Sequence, residues 1–466
     1  MRNEHIVQQT VQRTQEKKSK KGEDHKLHWW QLTLIGIGSI IGAGFFLGTG
    51  LSIERAGPSV LLNYLFAGLI AFLVFSALAE MSVHDQETGS FRKYAQIAFG
   101  HSMGFMSGWM YWVSGLLIMA SEITALGLFT QYWFPSVPLW LLMVLYTALG
   151  LGINLLGVNN FSTLESLFAV VKLATLLGFI GFGCLFLFGI ATPTSSVQTE
   201  ATLLPFFPNG LMGTWSAMIF VLFSFGGIAV VGLMSNELKH KDETPKAGLT
   251  TVTALTILYI LSIFFILYMV SWTIISEEES PFVTAISQFQ IPFIGSIFTI
   301  ILITAAFSTM VGALFSITKV LVSLSHAGDA PKAIDYHSKK GVATRALGAN
   351  AIALGIMIVV SYLLPDKVYE YLTTAAGIML ILNWVVILAS QIKNRRQYIE
   401  TPSKKRYYKM FWAPFTSYLG IFLIFLSISG AAFQESERIG LMISLVIVTT
   451  IFVSYLFVRK KTSDLS

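Results

Sequence analysis

The chain has 466 residues, of which 54% are hydrophobic and only 12% are charged, and its formal net charge is +6. Soluble globular proteins carry roughly 25% charged residues, so a soluble protein of this composition could not cover its own surface, and lipid must surround most of the chain. Ordinary cytosolic enzymes, secreted disulfide scaffolds and disordered proteins are thereby excluded, and the one cysteine, Cys184, allows no internal disulfide.

Residues 1–28 are polar and rich in glutamine, lysine and glutamate. They contain no apolar stretch of the kind that a secretory signal peptide has near its start. Their seven basic residues suit either contact with anionic lipid head groups or a solvated tail. We predict a disordered basic arm on the cytoplasmic side.

Twelve apolar runs follow this arm, and each is close to or longer than the about 20 residues that a helix needs to cross a bilayer. The runs cover residues 31–50, 59–80, 102–131, 138–157, 163–190, 211–236, 249–271, 292–324, 345–364, 368–391, 411–433 and 438–458. None of them alternates apolar and polar residues as membrane strands do. The pattern predicts an all-helical integral membrane protein with twelve transmembrane helices.

The basic residues are distributed unevenly among the loops. If the amino end is cytoplasmic, 27 of the 31 lysines and arginines lie on the cytoplasmic side, and only Arg55, Lys367 and Arg438 lie on the other. Such an excess marks the cytoplasmic face of membrane proteins. It predicts a cell-membrane protein with both termini in the cytoplasm, and it accounts for the positive charge without a nucleic-acid partner.

Glycines interrupt the first and sixth runs at corresponding places, in residues 36–44 and 223–227. Such a pair of interruptions indicates a transporter built of inverted repeats, with its site near the middle of the bilayer. The predicted organisation is a tail over 1–28, a core over 29–391 with repeats at about 31–190 and 211–391, a cytoplasmic loop over 392–410, two further helices over 411–458 and a cytoplasmic tail over 459–466.

Three glycines within residues 38–44 allow two structural interpretations. They permit close packing of helices, or they let the helix unwind, which the matching interruption in the sixth run favours. A dinucleotide-binding loop is excluded because the glycine spacing differs and no strand precedes it. Unwound helices expose N–H groups that suit a carboxylate and C=O groups that suit an ammonium group. Two of them could therefore hold a zwitterionic α-amino acid without charged side chains.

Several short stretches together carry a family resemblance. They are IGAGFFLGTG at 41–50, GWMYW at 108–112, SEITALG at 121–127, QYWFP at 131–135, FSFGG at 223–227 and GDAPK at 328–332. Through them, the chain from residue 27 to about residue 391 resembles amino-acid permeases of the amino acid–polyamine–organocation superfamily, and most of all its bacterial amino-acid transporter branch. The resemblance implies a LeuT-like fold of five plus five inverted helices with two additional helices.

The resemblance also implies a substrate site made of backbone groups from the two interrupted runs. Its residues are Ile40, Gly42, Ala43 and Gly44 in the first run and Phe223, Ser224, Phe225 and Gly226 in the sixth. The first segment would bind the carboxylate and the amine of the substrate, and the second would complete the amine site. An aromatic residue gates the pocket in this family, and Phe223 matches that position best. Lipid or core packing is the alternative role for Phe223 and Phe225.

Two charged residues, Lys172 and Glu122, lie well inside predicted spans. Burial disfavours the charged forms of both side chains. We interpret Lys172 as a proton carrier, and the resemblance agrees, because proton-driven relatives carry a lysine in the fifth helix where sodium-driven ones bind an ion. A lysine that snorkels or pairs with Glu165 is the alternative. Glu122 either shares the proton coupling, as the resemblance suggests, or is a neutral structural acid.

The remaining signals concern substrate and reaction class. Many relatives carry a glutamate shortly after the glycines of the sixth helix, where this sequence has Ala229, so we predict a neutral substrate. Scattered histidines and the absence of nucleophile and phosphate-loop motifs predict no enzyme, no metal and no cofactor other than the coupling proton.

We predict a secondary transporter that imports a neutral α-amino acid with a proton by alternating access. An exchanger of the same fold is the alternative. An amino-acid sensor is less favoured, because loops of about 20 residues could not fold alone.

Overall fold

The computed structural model describes residues 27–84, 91–156, 161–192, 205–276, 279–338, 341–363, 368–400 and 408–463. Residues 1–26 of the predicted tail at 1–28, residues 401–407 of the predicted loop at 392–410, and the last three residues lie outside the described residues. In the described ranges the fold is all-helical, and the β contacts are two isolated bridges. One bridge joins Leu27 to Leu238: the Leu27 N–H donates to Glu237 O at 2.7 Å, and the Lys239 N–H donates to Leu27 O at 2.9 Å.

Eighteen α-helices are formed by the described residues. They are α1 (Trp29–Ile40), α2 (Ala43–Phe46), α3 (Gly48–Ala56), α4 (Val60–His84), α5 (Phe91–Phe99), α6 (His101–Gln131), α7 (Leu139–Leu156), α8 (Phe161–Leu187), α9 (Gly210–Ser216), α10 (Met218–Phe223), α11 (Ile228–Met234), α12 (Thr244–Met269), α13 (Pro281–Ser287), α14 (Ile294–His326), α15 (Thr344–Leu363), α16 (Val368–Glu400), α17 (Phe415–Gly430) and α18 (Glu435–Ser463). Five short 3-10 helices occur as well, at Gly57–Ser59, Ser235–Glu237, Lys241–Glu243, Trp272–Ile274 and Lys332–Ile334.

Ten helical segments of the described chain are long and apolar enough to cross a membrane, and Phe415–Gly430 is a shorter apolar helix. The chain is therefore a multi-pass helical membrane protein. The count of ten differs from the predicted twelve for two reasons. The first predicted run is divided between α1, whose 12 residues rise only about 18 Å, and the segment Ala43–His84, which also contains the second run. The eleventh run forms Phe415–Gly430, whose 16 residues rise only about 24 Å.

Within that segment the chain turns back on itself. Thr49 Oγ1 lies 2.8 Å from Tyr64 Oη, although residues 15 positions apart in one continuous helix would be about 22 Å apart. The turn is at Gly57, whose φ of 62° is a conformation that glycine adopts without steric cost. Helices α3 and α4 are therefore neighbours that run in opposite directions, as the separate predicted runs 31–50 and 59–80 require.

Helices α6 and α16 are the most enclosed of the spans. They share this place with the segment Gly210–Gly232: in all three, 78% of the most apolar stretch is buried, compared with 17% for α18. Gly115 of α6 lies against Ile317 of α14 so closely that a Cβ atom would overlap the isoleucine side chain. Glycine thus allows the close helix approach that is typical of membrane bundles, and the core forms around α6.

Helix α16 reaches from one end of the molecule to the other. At its start, Glu370 accepts a hydrogen bond from Arg55 Nη2 at 2.6 Å. Near its end, Arg395 Nε lies 3.7 Å from Glu80 Oε1. The two positions are 25 residues apart in α16, which corresponds to roughly 37 Å along a helix. Each end of the bundle therefore has its own group of charged side chains.

Candidate functional site

The first predicted span is interrupted at Ile41 and Gly42. Helix α1 ends at Ile40 and α2 begins at Ala43, and the two residues between them are extended, with φ and ψ of −71° and 111° for Ile41 and −147° and −161° for Gly42. The predicted unwinding is confirmed here. A helix end leaves backbone groups without partners in the helix. This interruption therefore places N–H and C=O groups inside the bundle that need hydrogen-bond partners from other helices.

Glu122 of α6 lies at the amino end of α2. Its Oε2 accepts a hydrogen bond from the Ala43 N–H at 3.0 Å, and the side chain is buried. A carboxylate in this place interacts favourably with the positive end of the α2 dipole. A Cβ atom on Gly42 would lie 2.5 Å from Glu122 Oε1, so the carboxylate reaches the helix end only because residue 42 has no side chain.

Lys172 of α8 lies at the other side of the interruption, near the carboxyl end of α1. Its Nζ donates hydrogen bonds to Gly38 O at 2.8 Å and to Thr309 Oγ1 at 2.9 Å. Thr309 Oγ1 also donates to Ile41 O at 3.1 Å. The lysine is 1% exposed, so it does not snorkel to the surface, and the side chain of Glu165 lies outside the described side chains. A cation at a helix carboxyl end complements the negative end of the dipole.

The sixth predicted span is interrupted in a different way. Helix α10 ends at Phe223 and α11 begins at Ile228, with turns between them. The Phe225 N–H donates to Leu222 O at 3.0 Å and the Gly226 N–H donates to Phe223 O at 2.9 Å. These bonds join residues three apart and give a tight 3-10 winding. The predicted interruption is present, but the backbone is overwound here rather than extended.

Ser224 joins the two interrupted segments. Its Oγ donates to Gly44 O at 2.9 Å, and its own carbonyl accepts a hydrogen bond from Tyr259 Oη at 3.2 Å. The turn after α10 therefore lies beside α2, and polar side chains hold backbone groups of both segments. This is the juxtaposition that a site made of backbone groups requires.

The aromatic side chains of the predicted site have two different surroundings. Phe223 lies over Gly44, where a Cβ atom would be 2.7 Å from the phenyl ring. Phe225 instead packs with Tyr64 and Tyr259, at ring-centroid distances of 6.4 Å and 5.3 Å. Phe223 therefore covers the interrupted first span, whereas the Phe225 side chain belongs to the core.

Ile40 and Gly226 complete the predicted set at the edges of the site. A Cβ atom on Gly227 would lie 2.8 Å from Ile40 Cγ1, so the first interruption also touches the end of the sixth-span turn. Gly226 faces Leu380 of α16. The structure thus brings the predicted residues from both segments together in one buried region.

Sequence reasoning missed the hydroxyl groups that bind the freed carbonyls. Thr309 of α14 donates to Ile41 O, and Tyr369 of α16 donates to Ala43 O at 3.1 Å. Both residues stand in apolar spans among other hydroxyl-bearing residues. No sequence signal separates them from residues such as Thr304, which bonds only within its own helix. The hydroxyls could be assigned only once the helices were placed.

We expect Ser224→Ala to weaken substrate binding about fivefold, because the Gly44 carbonyl loses a buried hydrogen bond of about 1 kcal/mol. The measurement is the concentration dependence of uptake into proteoliposomes. Ser427→Ala is a matched control, since this buried serine donates only to Leu423 O of its own helix. Equal losses in the two variants would contradict a role for Ser224 at the site.

Among the described residues, no group of three or more histidine, cysteine, aspartate or glutamate side chains is arranged to hold a metal ion. The site instead consists of helix ends, hydroxyl groups, one acid and one lysine. Interrupted membrane helices around such a buried region are typical of secondary transporters. The fold and the site thus define a membrane transport protein.

Comparison with known proteins gives the family. The sequence profile described as "Amino acid permease" matches residues 31–464. The uncharacterized transporter YcgH of Bacillus subtilis is 39% identical over 93% of this chain and 95% of its own length. The gamma-aminobutyric acid permease of the same organism is 32% identical over 95% of both chains. The aromatic amino acid transport protein AroP of Escherichia coli K12 is 33% identical over 78% of this chain and 80% of its own length. The chain belongs to the amino acid permease family.

Proposed function

We propose that this permease imports a neutral α-amino acid together with a proton by alternating access. The observation that carries the proposal is the interruption between α1 and α2, where the Ala43 N–H is held by Glu122 and the Gly38 carbonyl by Lys172. Both ends of the interruption are thus buried, and each is bound by an ionisable side chain that a substrate could displace. Membrane embedding and family membership support transport as the activity.

A zwitterion fits this arrangement because its two charges need opposite partners. The amino end of α2 is electropositive and suits the substrate carboxylate. The carbonyl groups of Ile41, Ala43 and Gly44 point to hydroxyl donors, and each carbonyl oxygen has a second lone pair that an ammonium group can use. The backbone itself would therefore bind both charged groups of an α-amino acid.

Proton coupling follows from competition at one N–H group. The Glu122 carboxylate occupies the Ala43 N–H that a substrate carboxylate would need. Protonation of Glu122 removes the charge that makes this a strong hydrogen bond and releases the N–H to the substrate. Lys172 would keep its proton while the substrate binds and would lose it only on the inner side, where the loss would weaken its hold on Gly38 O. Substrate and proton would therefore bind together, and both would leave before the cycle restarts.

A neutral substrate is supported by the residues after the second interruption. Position 229 is a buried alanine, whereas the resemblance places a glutamate there in many relatives. The names of two relatives, one for aromatic amino acids and one for gamma-aminobutyric acid, also denote molecules without a net charge at neutral pH. Aromatic amino acids and gamma-aminobutyric acid therefore belong in the substrate screen.

The proposed topology is twelve spans with both termini in the cytoplasm, in a LeuT-like arrangement of two five-helix repeats. The turn at Gly57 supports counting α3 and α4 in separate spans. In this orientation Arg395 and Glu80 lie at the cytoplasmic end, and Arg55 and Glu370 lie at the outer end. The uneven distribution of basic residues supports it.

The test is uptake into proteoliposomes with an imposed pH gradient, acidic outside, screened against the twenty common amino acids and gamma-aminobutyric acid. We expect one or more neutral amino acids to accumulate above the external concentration and to lose this accumulation when a protonophore is added. Lysine and arginine should not compete. Uptake that requires an amino acid inside the vesicle and does not depend on the pH gradient would instead indicate an amino-acid exchanger.

A further inference from the structure

Three charged side chains from three helices meet at the end of the bundle opposite Arg395. Arg55 of α3 donates to Glu370 of α16 at 2.6 Å, and its Nε lies 3.6 Å from Oε1 of Glu437 of α18. Ser436 adds a hydrogen bond to Glu370. Glu370 is 1% exposed and Glu437 is 0% exposed. We refer to Arg55, Glu370 and Glu437 as the outer cluster.

The outer cluster contains one positive group and two acids. Glu370 forms the short ion pair with Arg55 and accepts the hydrogen bond from the Ser436 hydroxyl. Glu437 reaches Arg55 only at 3.6 Å, which is beyond hydrogen-bond distance. Neither of its carboxylate oxygens has a hydrogen-bond partner among the described residues. A buried carboxylate without hydrogen bonds is strongly unfavourable in its charged form, and it becomes stable when it is neutral.

We propose that Glu437 is a proton-binding site that holds a proton while α3, α16 and α18 are closed together. With that proton the outer cluster is neutral, since the Arg55 charge balances the Glu370 charge. When this end opens, water reaches the carboxyl group, and the proton passes to the water on the same side of the membrane. On closing, Glu437 takes a proton from that water again.

The charged groups around Glu437 fit this assignment. Arg55 and Glu370 are the charges that act on it from α3 and α16. On its own helix, Glu435 and Arg438 are exposed to the surroundings. Helix α6, which also packs on α18, contacts it near the opposite end through Phe105 and Tyr455, at 5.5 Å between ring centroids. The described residues thus provide Glu437 with no second cation.

The proposal goes beyond the amino-acid and proton site at the first interruption. It concerns a different acid on α18, a helix outside the predicted repeats. Helix α3 follows α2 after a single residue, Leu47, so closure of the outer cluster fixes the half of the first span that begins at Ala43. A proton at Glu437 would therefore favour the conformation in which the outer end is shut.

Infrared spectroscopy of the purified protein in lipid at neutral pH tests the protonation directly. Glu437→Gln should remove the carbonyl band of one protonated carboxylic acid. Glu370→Gln should also remove one such band, because Glu437 would then ionise to pair with Arg55. Glu435→Gln, two residues away and exposed, should leave the band unchanged. An unaltered band in Glu437→Gln would overturn the proposal. No transport is needed for this measurement, so it does not depend on the proposed substrate.

A transport measurement tests the consequence. Glutamine resembles the protonated acid, so Glu437→Gln should transport more slowly and lose the part of the dependence on external pH that Glu437 contributes. Glu435→Gln should keep the wild-type profile. If Glu437→Gln kept the wild-type rate and the full dependence on external pH, then Glu437 would not release a proton when the outer end opens, and the proposal would be wrong.

Discussion

Lys172→Ala is expected to abolish accumulation of substrate against its gradient while leaving exchange across the membrane. The lysine holds Gly38 O and Thr309 at the carboxyl end of α1, and its ammonium group is the ionisable group in these two contacts. Proteoliposomes with an imposed pH gradient report net accumulation, and vesicles preloaded with substrate report exchange. The accumulation ratio should fall to about one, because without a coupling ion only the substrate's own gradient drives movement.

Two further variants separate coupling from packing. Lys172→Met keeps most of the side-chain volume and removes the ammonium group, so it should lose accumulation as the alanine variant does. Lys319→Ala removes an exposed lysine near the end of α14, which lies over the Phe315 ring, and should retain it. Wild-type proton-driven uptake in both Lys172 variants would show that the coupling group lies elsewhere.

Gly42→Ala is the second change for which we expect a large effect, a loss of uptake by roughly tenfold to a hundredfold. A Cβ atom would lie 2.5 Å from Glu122 Oε1 and 2.9 Å from Thr309 Oγ1, so both side chains would have to leave the interruption. A charge-assisted hydrogen bond contributes about 1.5–3 kcal/mol. The φ of −147° is open to alanine, so the effect is due to crowding and not to backbone strain.

Initial uptake rates in proteoliposomes measure this prediction. Gly178→Ala is the matched control, since a Cβ atom there meets nothing within 4 Å. Equal amounts of folded protein should be confirmed for both variants by gel filtration in detergent. Uptake by Gly42→Ala at the wild-type rate would mean that the approach of Glu122 to α2 has no part in transport.

The apolar pattern was sufficient to place the helices. The predicted run 102–131 corresponds to His101–Gln131, and the run 138–157 corresponds to Leu139–Leu156. The interruption of the first span was also predictable, because the matching glycines in the sixth run favoured unwinding over close helix packing. Length and local composition control both features, and both can be read from neighbouring residues.

The partners of the freed backbone groups were not predictable. A helix that is apolar on all sides has no polar face to show which side is inside, so the orientation of Thr309 and Tyr369 depends on how the helices pack. The same reason explains Arg55. Its position near a predicted loop indicated only topology, and its acid partners, Glu370 and Glu437, lie more than three hundred residues away in the sequence.

The bridge at Leu27 has a mechanical consequence for the end of the bundle that we propose to be cytoplasmic. Two backbone hydrogen bonds attach Leu27, two residues before α1, to the segment that follows α11, so the start of the first span and the end of the sixth cannot separate unless both bonds break. Each such bond stabilises by only about 0.5–1.5 kcal/mol. Two bonds of that strength hold the start of the first span to the end of the sixth and can still break and re-form within the same folded structure.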